Sequence, residues 1–155
     1  MRQKPLKILC MVDIRQTNLA TALEVLRKLP EFEGLKEPAY YEGTLAGKTN
    51  LITCAFEQEE AVACKVGYDK FEDGSFYSWL GGVAPEHRQK GLAKALADYQ
   101  EQWAVENGFT SIKFKTLNRL KAMLHFALGN GFSIYNVKPR EDLAEYRIEL
   151  IKPLI

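Results

Sequence analysis

The stretch Val83-Ala84-Pro85-Glu86-His87-Arg88-Gln89-Lys90-Gly91-Leu92-Ala93-Lys94-Ala95-Leu96 constrains this chain most. It reads as the end of a strand, a short basic loop with one glycine, and the start of a helix. The first N–H groups of a helix have no intrahelical acceptor, so such a junction favours an anion. Arg88 and Lys90 add positive charge. Gly91 has no side chain to hold an anion away from the backbone. The pattern implies a phosphate or diphosphate ligand.

At 155 residues, with 46% apolar and 26% charged residues, one domain with a proper core is expected. Twenty-one Lys and Arg nearly balance twenty Asp and Glu, which argues against a nucleic-acid surface. Cys10, Cys54 and Cys64 show no short Cys-x-x-Cys spacing and lie in apolar runs, so buried reduced thiols are expected. His87 and His125 lack paired carboxylates at ligand spacing, so no metal is expected. The segment Met1 to Pro5 lacks an apolar stretch for a leader, and no run approaches the ~20 apolar residues of a membrane span. The expectation is a cytoplasmic chain with no membrane partner.

Leu6 to Val12 predicts a first strand. Thr17 and Asn18 are good caps for a helix carrying Leu19, Leu23, Leu26 and Leu29 on one face, stopped by Pro30. Residues 31–49 hold Gly34, Pro38, Gly43 and Gly47 and read as irregular. Asn50 to Phe56 and Ala61 to Asp69 predict a hairpin turning at Glu57 to Glu60. Asp73-Gly74 marks a turn into a strand over Ser75 to Val83. A helix follows from about Gly91 to Asn107, with Leu92, Leu96, Tyr99 and Trp103 on its apolar face and Gly108 as a left-handed cap. Then come a strand (Ser111 to Thr116), a helix (Arg119 to Leu128) and two strands (Phe132 to Val137, Glu145 to Ile151). The order predicts an α+β (mixed α/β) fold. Its twisted sheet would have six to seven strands, mostly antiparallel, with helices on both faces.

Arg88-Gln89-Lys90-Gly91-Leu92-Ala93 resembles the Gln/Arg-x-x-Gly-x-Gly/Ala signature of the GNAT superfamily of acetyl-CoA-dependent N-acyltransferases. A second match lies where Asn118 opens a helix ending at Gly131-Phe132. Together they resemble that superfamily's coenzyme-binding half, over about residues 75–137. The resemblance implies that the N–H groups of Gln89, Lys90, Gly91, Leu92, Ala93 and Lys94 bind the diphosphate of acetyl-CoA. It implies a backbone amide at the preceding strand end, Val83 beside Gly82, for the thioester carbonyl. Gly81-Gly82 suits a bulge that would splay the strand and open a slot for the pantetheine arm. Asn118 either caps its helix or contacts the coenzyme. In the resembled fold, segments like residues 31–49 often line the acceptor site. Dimers are common there too, and the aromatic-rich C-terminal strands are the segments that would pair.

The catalytic residues match less well. No Tyr lies between Asn118 and Phe132, where many members keep a general acid. His125 in that stretch could serve as an acid, since imidazole titrates near neutral pH, and a helix-surface or packing role is the competing reading. The strand Ser75 to Val83 contains no carboxylate to act as base. Tyr77 and Trp79 share a face there and either wall the acceptor pocket or pack the core. Glu42, Glu57 and Asp69 are remote candidate bases. Gly43-Thr44-Leu45-Ala46-Gly47-Lys48-Thr49 imitates a nucleotide-binding loop, but three residues separate the glycines where four are needed. The implied activity is acetyl transfer from acetyl-CoA to a small-molecule or peptide amine. The alternative is a non-catalytic acyl-CoA-binding module of the same fold.

Overall fold

The computed structural model describes residues 12–154. Among the described residues, seven strands form one sheet: β1 (Val12–Gln16), β2 (Asn50–Glu57), β3 (Glu60–Tyr68), β4 (Ser75–Val83), β5 (Ser111–Leu117), β6 (Ser133–Lys138) and β7 (Arg147–Pro153). Their order across the sheet is β1-β2-β3-β4-β5-β7-β6. Every pairing is antiparallel except β4 with β5. Four helices connect them: α1 (Leu19–Arg27), α2 (Pro38–Leu45), α3 (Leu92–Glu106) and α4 (Lys121–Gly129). None of these helices is long and apolar enough to cross a membrane. The expected α+β architecture, with a mostly antiparallel sheet and helices on both faces, is the one observed.

Each face has its own core. Ala22, Leu23, Val25 and Leu26 of α1 and Tyr41 and Leu45 of α2 bury against Cys54, Phe56, Cys64, Val66, Tyr68 and Tyr77. On the opposite face, Leu92 and Leu96 of α3 pack on Ala55, Val62 and Ala63. Further along, Ala104 meets Leu51, Phe76 and Ile112. Ala127 of α4 packs on Ile148 and Leu150. Alternation along the strands sends neighbouring residues to these two faces.

The expected local signals hold at several joints. Asn18 caps α1 by accepting from the Thr21 N–H at 2.9 Å. Gln58 and Glu59 turn the β2–β3 hairpin with φ of 52° and 68°, the left-handed pair that a two-residue hairpin needs. One expectation lies largely outside the described residues. The sequence predicts a first strand over Leu6 to Val12. Residues 6–11, Cys10 included, are not among those described, and β1 is described from Val12.

Three expectations are corrected. Residues 31–49 contain the helix α2, started by Pro38 at its first position. Its buried residues are Tyr41 and Leu45, too few to print a stripe in the sequence, and Gly43 inside it reads as a breaker. Asn118 does not cap α4, because the cap position is Leu120 and no side chain bonds there. The expected Gly81-Gly82 bulge lies elsewhere. Gly81 and Gly82 pair regularly with Lys65 and Cys64, and the register slips between Val66↔Leu80 and Gly67↔Ser78. Trp79 is therefore the extra residue.

Gly67 explains how β4 sits so close to β3 at that slip. A Cβ on Gly67 would overlap the Phe76 ring, lie 2.8 Å from the Tyr77 carbonyl oxygen and lie 2.9 Å from Gln100 Nε2. The carbonyl belongs to the sheet and cannot turn aside. Gly67→Ala is expected to destabilise the fold by about 2 kcal/mol, in the range of core overpacking. An unchanged urea midpoint would refute this account of the bulge.

The β4–β5 joint is clamped at its base by Asp73. One of its oxygens accepts from the Ser75 N–H at 2.9 Å and the Ser75 hydroxyl at 2.6 Å, and the other pairs with Lys113 at 2.9 Å. The Ser75 bonds, then Lys113, hold the Asp73 carboxyl down to about 2, from an ordinary 3.8. A depressed carboxyl stabilises the folded state above its unfolded pKa, and that contribution fades as pH falls through the folded value. Between about pH 4 and pH 2 the wild-type melting temperature should therefore fall more steeply than that of Asp73→Asn. Parallel curves for the two proteins would show that the clamp contributes nothing.

Candidate functional site

The basic loop begins where β4 ends. The Ala84 N–H still bonds to the Val62 carbonyl at 2.8 Å, the last rung to β3. Pro85–His87 make a single 3-10 turn. Gln89 (φ 63°) and Gly91 (φ 81°) then take left-handed backbone and turn the chain into α3. Gly91 is the cap residue, and no side chain bonds over the helix start. The first rung into the helix runs from the Ala95 N–H to the Gly91 carbonyl at 3.0 Å. Among the described residues, none of the six N–H groups from Gln89 to Lys94 meets a protein acceptor. These are the same six amides that the sequence pattern singles out. A run of unpaired N–H groups at the positive end of a helix is an anion cradle.

The loop's side chains are arranged differently from the sequence expectation. Arg88 donates from Nε to the Val83 carbonyl at 2.9 Å and from one terminal nitrogen to both oxygens of Glu31, at 3.1 and 2.8 Å. Lys90 lies 3.5 Å from Glu57, which also lies 3.3 Å from His87 Nδ1. Lys94 pairs with Asp98 at 2.6 Å. Each loop cation thus has a carboxylate, so the backbone amides supply the unneutralised positive potential. Glu31 and Asp98 carry no sequence signal. Glu57, one of the remote candidate bases, sits on β2 beside the loop rather than on β4 or β5.

Next to the loop the sheet opens. β4 and β5 pair at Ser75↔Ser111, Phe76↔Ile112 and Tyr77↔Lys113. No pairing joins Ser78–Val83 to Phe114–Leu117. The Ala84–Val62 bond fixes the alternation along β4. Gly82 turns its N–H towards β3, while Gly81 and Val83 turn theirs into the opening. A Cβ on Gly82 would overlap Leu29, so glycine lets the chain leaving α1 lie on the strand. The Asn118 N–H bonding to the Tyr146 carbonyl sets the same alternation on β5. Lys115 and Leu117 therefore also present backbone groups to the opening. Among the described residues, the result is a wedge lined on both sides by peptide groups without a cross-strand partner, with the amide cradle at its mouth.

The remaining candidates are scattered. The Asn118 side chain donates to the Leu143 carbonyl at 3.2 Å and accepts from Lys121 at 3.1 Å, tying β5 to the segment before β7. His125 is exposed on α4. Asp69 accepts from the Glu72 N–H in a turn, and Glu42 is exposed on α2. Tyr77 is buried and Trp79 half-buried. Both join one aromatic cluster, with Tyr68 at 5.8 Å from Tyr77 and 5.2 Å from Trp79. Of the two readings, the structure shows core packing. Burial pushes the Tyr77 phenol up, keeping it protonated. Cys54 and Cys64 face each other across β2 and β3, buried as expected. Burial pushes the Cys54 thiol to about 12.

Sequence reasoning missed a polar group on β5 and β7. Lys115, Arg147 and Glu149 lie on the face that α1 and α2 leave uncovered. Their signal is the alternation of Lys113 and Lys115 with Ile112 and Phe114, which marks a polar face without saying what it meets. Glu149 is 8% exposed. Burial works to raise its carboxyl, but the Asn136 amide at 3.1 Å and Lys138 at 3.6 Å outweigh it and hold it below the ordinary range.

The fold has counterparts among solved structures. The acetyltransferase (GNAT) family model matches residues 19–132. The ribosomal-protein-S18-alanine N-acetyltransferase from Escherichia coli superposes with a TM-score of 0.77 at 14% identity, covering 93% of this chain and 94% of that one. A GNAT family acetyltransferase from Elizabethkingia anophelis, solved with acetyl-CoA bound, gives 0.73 at 14% identity, covering 92% and 98%. A putative GNAT family acetyltransferase from Desulfovibrio desulfuricans gives 0.75 at 19% identity, covering 93% and 99%. No curated protein sequence matches the chain. With the family model spanning most of its length, this chain belongs to the GNAT family of acetyltransferases.

Proposed function

We propose that this protein transfers the acetyl group of acetyl-CoA to an amine by direct attack in a ternary complex. The observation that carries the reading is the run of six unpaired amides, Gln89 to Lys94, at the mouth of the β4–β5 wedge. The amides would hold the diphosphate, and the pantetheine arm would complete the sheet along the wedge. The Val83 N–H, aimed into the opening, would bond the thioester carbonyl and strengthen that bond as the oxygen gains charge. The amine nitrogen bonds to the carbonyl carbon, the C–S bond breaks, and the nitrogen's surplus proton ends on the departing sulfur.

Magnitudes decide which parts matter. Holding both reactants in line supplies about 7–11 kcal/mol. One preorganised oxyanion donor supplies about 3–4 kcal/mol. A positioned acid or base adds roughly 10²–10⁴-fold. Positioning dominates, which fits a chain without the familiar Tyr and Glu. His125 is exposed on α4. It takes no part in the proposed reaction.

Gly91 offers the direct test of the cradle. Nothing lies within 4 Å of where its Cβ would be, and its φ is 81°. Gly91→Glu should leave the fold intact, while its carboxylate repels the diphosphate and its backbone resists the left-handed turn. Calorimetry should show acetyl-CoA affinity falling at least about a hundredfold. Unchanged affinity with a normal circular dichroism spectrum would remove the cradle from the mechanism.

Turnover is tested by mixing the protein with acetyl-CoA and a panel of amines and following free thiol. Release with at least one amine is expected. Tight coenzyme binding without release on any amine would favour the acyl-CoA-binding module. In the same assay His125→Ala should change kcat/KM by less than about threefold. A loss of about a hundredfold with coenzyme binding retained would make it the acid.

A further inference from the structure

The face of β5, β7 and β6 opposite α4 is covered by neither α1 nor α2, whose cores lie on β2 to β4. Among the described residues no helix core lies over it, and it meets the wedge from the side opposite α3 and α4. Lys115 stands there two residues past the last β4–β5 pair, Tyr77↔Lys113. Its Nζ lies 5.5 Å from the Tyr77 ring centroid, and Lys70 Nζ lies 4.7 Å from the same ring. The two ammonium groups are immediate neighbours, and Arg147 adds a third charge.

These three cations have no carboxylate within ion-pairing distance among the described residues, although most other lysines and arginines have one. The carboxylates on this face are already engaged. Asp73 holds Lys113 and Ser75. Glu149 holds Asn136 and Lys138. The stretch before Val12 contains no Asp or Glu. Like charges set side by side at a half-buried position are unfavourable unless an anion joins them. Burial first, then Lys70 and Arg147, push Lys115 down to about 8, and Glu149, its cross-strand neighbour, offsets them only in part.

We propose that this face is the acceptor site and takes an amine that also carries a carboxylate, gripped by Lys70, Lys115 and Arg147. The proposal rests on the acetyl-transfer reading of the wedge. The Tyr77 ring lies under both ammonium groups, and the exposed Phe71 ring, 5.6 Å from Lys70 Nζ, suits the carbon frame of such an acceptor. Asp73 and Glu149 on the same face work against a doubly charged phosphate and leave a singly charged carboxylate as the better match.

The test uses products, so that it does not depend on turnover. Matched pairs of an N-acetyl amino acid and its decarboxylated N-acetyl amine, with aromatic, aliphatic and polar side chains, are titrated into the full chain by calorimetry. At least one acid should bind about tenfold more tightly than its decarboxylated partner, as a charge-assisted grip requires. That preference should fall below about threefold in Lys70→Met and Lys115→Met and survive in Lys115→Arg. If one Met variant does not fold, the other carries the comparison. Absence of any carboxylate preference, or a preference that persists in the folded Met variants, overturns the proposal. Acetyl-CoA affinity, titrated in parallel, should be unchanged in all of them. Failure of the wild-type protein to bind acetyl-CoA would sink the transfer reading and leave the carboxylate result standing by itself.

Discussion

Everything functional in this molecule depends on two parallel strands that pair for three residues and then part. β4 and β5 are joined at Ser75, Phe76 and Tyr77 and no further. A sheet does not leave peptide groups unpaired without cause, because each buried, unsatisfied group costs about 1–3 kcal/mol. The separation is built in from both ends. At the base, Asp73 locks the turn before β4 to Lys113 of β5. One strand over, β4 takes an extra residue at Trp79 opposite Gly67, and a bulge bends its strand and sharpens the local twist. The helices follow suit, α3 covering β2 to β4 and α4 covering β5 and β7. The two halves share a core at the base, where Ala104 meets Phe76 and Ile112, and pack under different helices beyond it.

Around the loop, charge pairing decides which groups remain free to hold an anion. A basic loop next to a helix start suggests that side chains capture it. Here Arg88 is engaged by Glu31 and by the Val83 carbonyl, and Lys90 shares Glu57 with His87. Exposed pairs of this kind are worth little in stability, about 0–1 kcal/mol each. Their use is geometric. Arg88 ties the carbonyl of Val83, the residue whose own N–H faces the wedge, and it joins the loop to the segment after α1. An arriving diphosphate would find amides already aimed and side chains already ordered, with little left to immobilise.

Legibility in the sequence follows the range of the interaction. Local patterns translate well: the Asn18 cap, the Gln58-Glu59 turn and the strand–loop–helix junction are each written in a few adjacent residues. The amide cradle is legible for the same reason, since it is a property of one helix start. Features made by distant segments are not. α2 lacks a stripe because it buries Tyr41 and Leu45 alone. Gly81-Gly82 looks like a bulge because glycines stand there, yet those glycines answer Cys64, Lys65 and Leu29 across the fold. Gly67 permits the true bulge and gives no sign, because its neighbours Phe76 and Gln100 come from other elements. Asn118 looks like a cap because Asn commonly caps, while its partner, Leu143, is 25 residues away.

The wedge thus has two approaches with opposite charge logic. At the start of α3 the side-chain cations are paired, and the free positive potential belongs to backbone amides, a kind of donor that binds phosphate oxygens at close range and cannot be titrated away. On the other side the carboxylates are paired, and the free positive charge belongs to Lys70, Lys115 and Arg147, long side chains that adapt to the shape of what they hold. A rigid cradle suits a coenzyme that is the same in every turnover. A flexible grip suits an acceptor that must enter, react and leave as a less basic amide. In the proposed reaction, acetylation would remove the amine's attraction to Asp73 and Glu149 and leave the carboxylate grip as the contact that sets release.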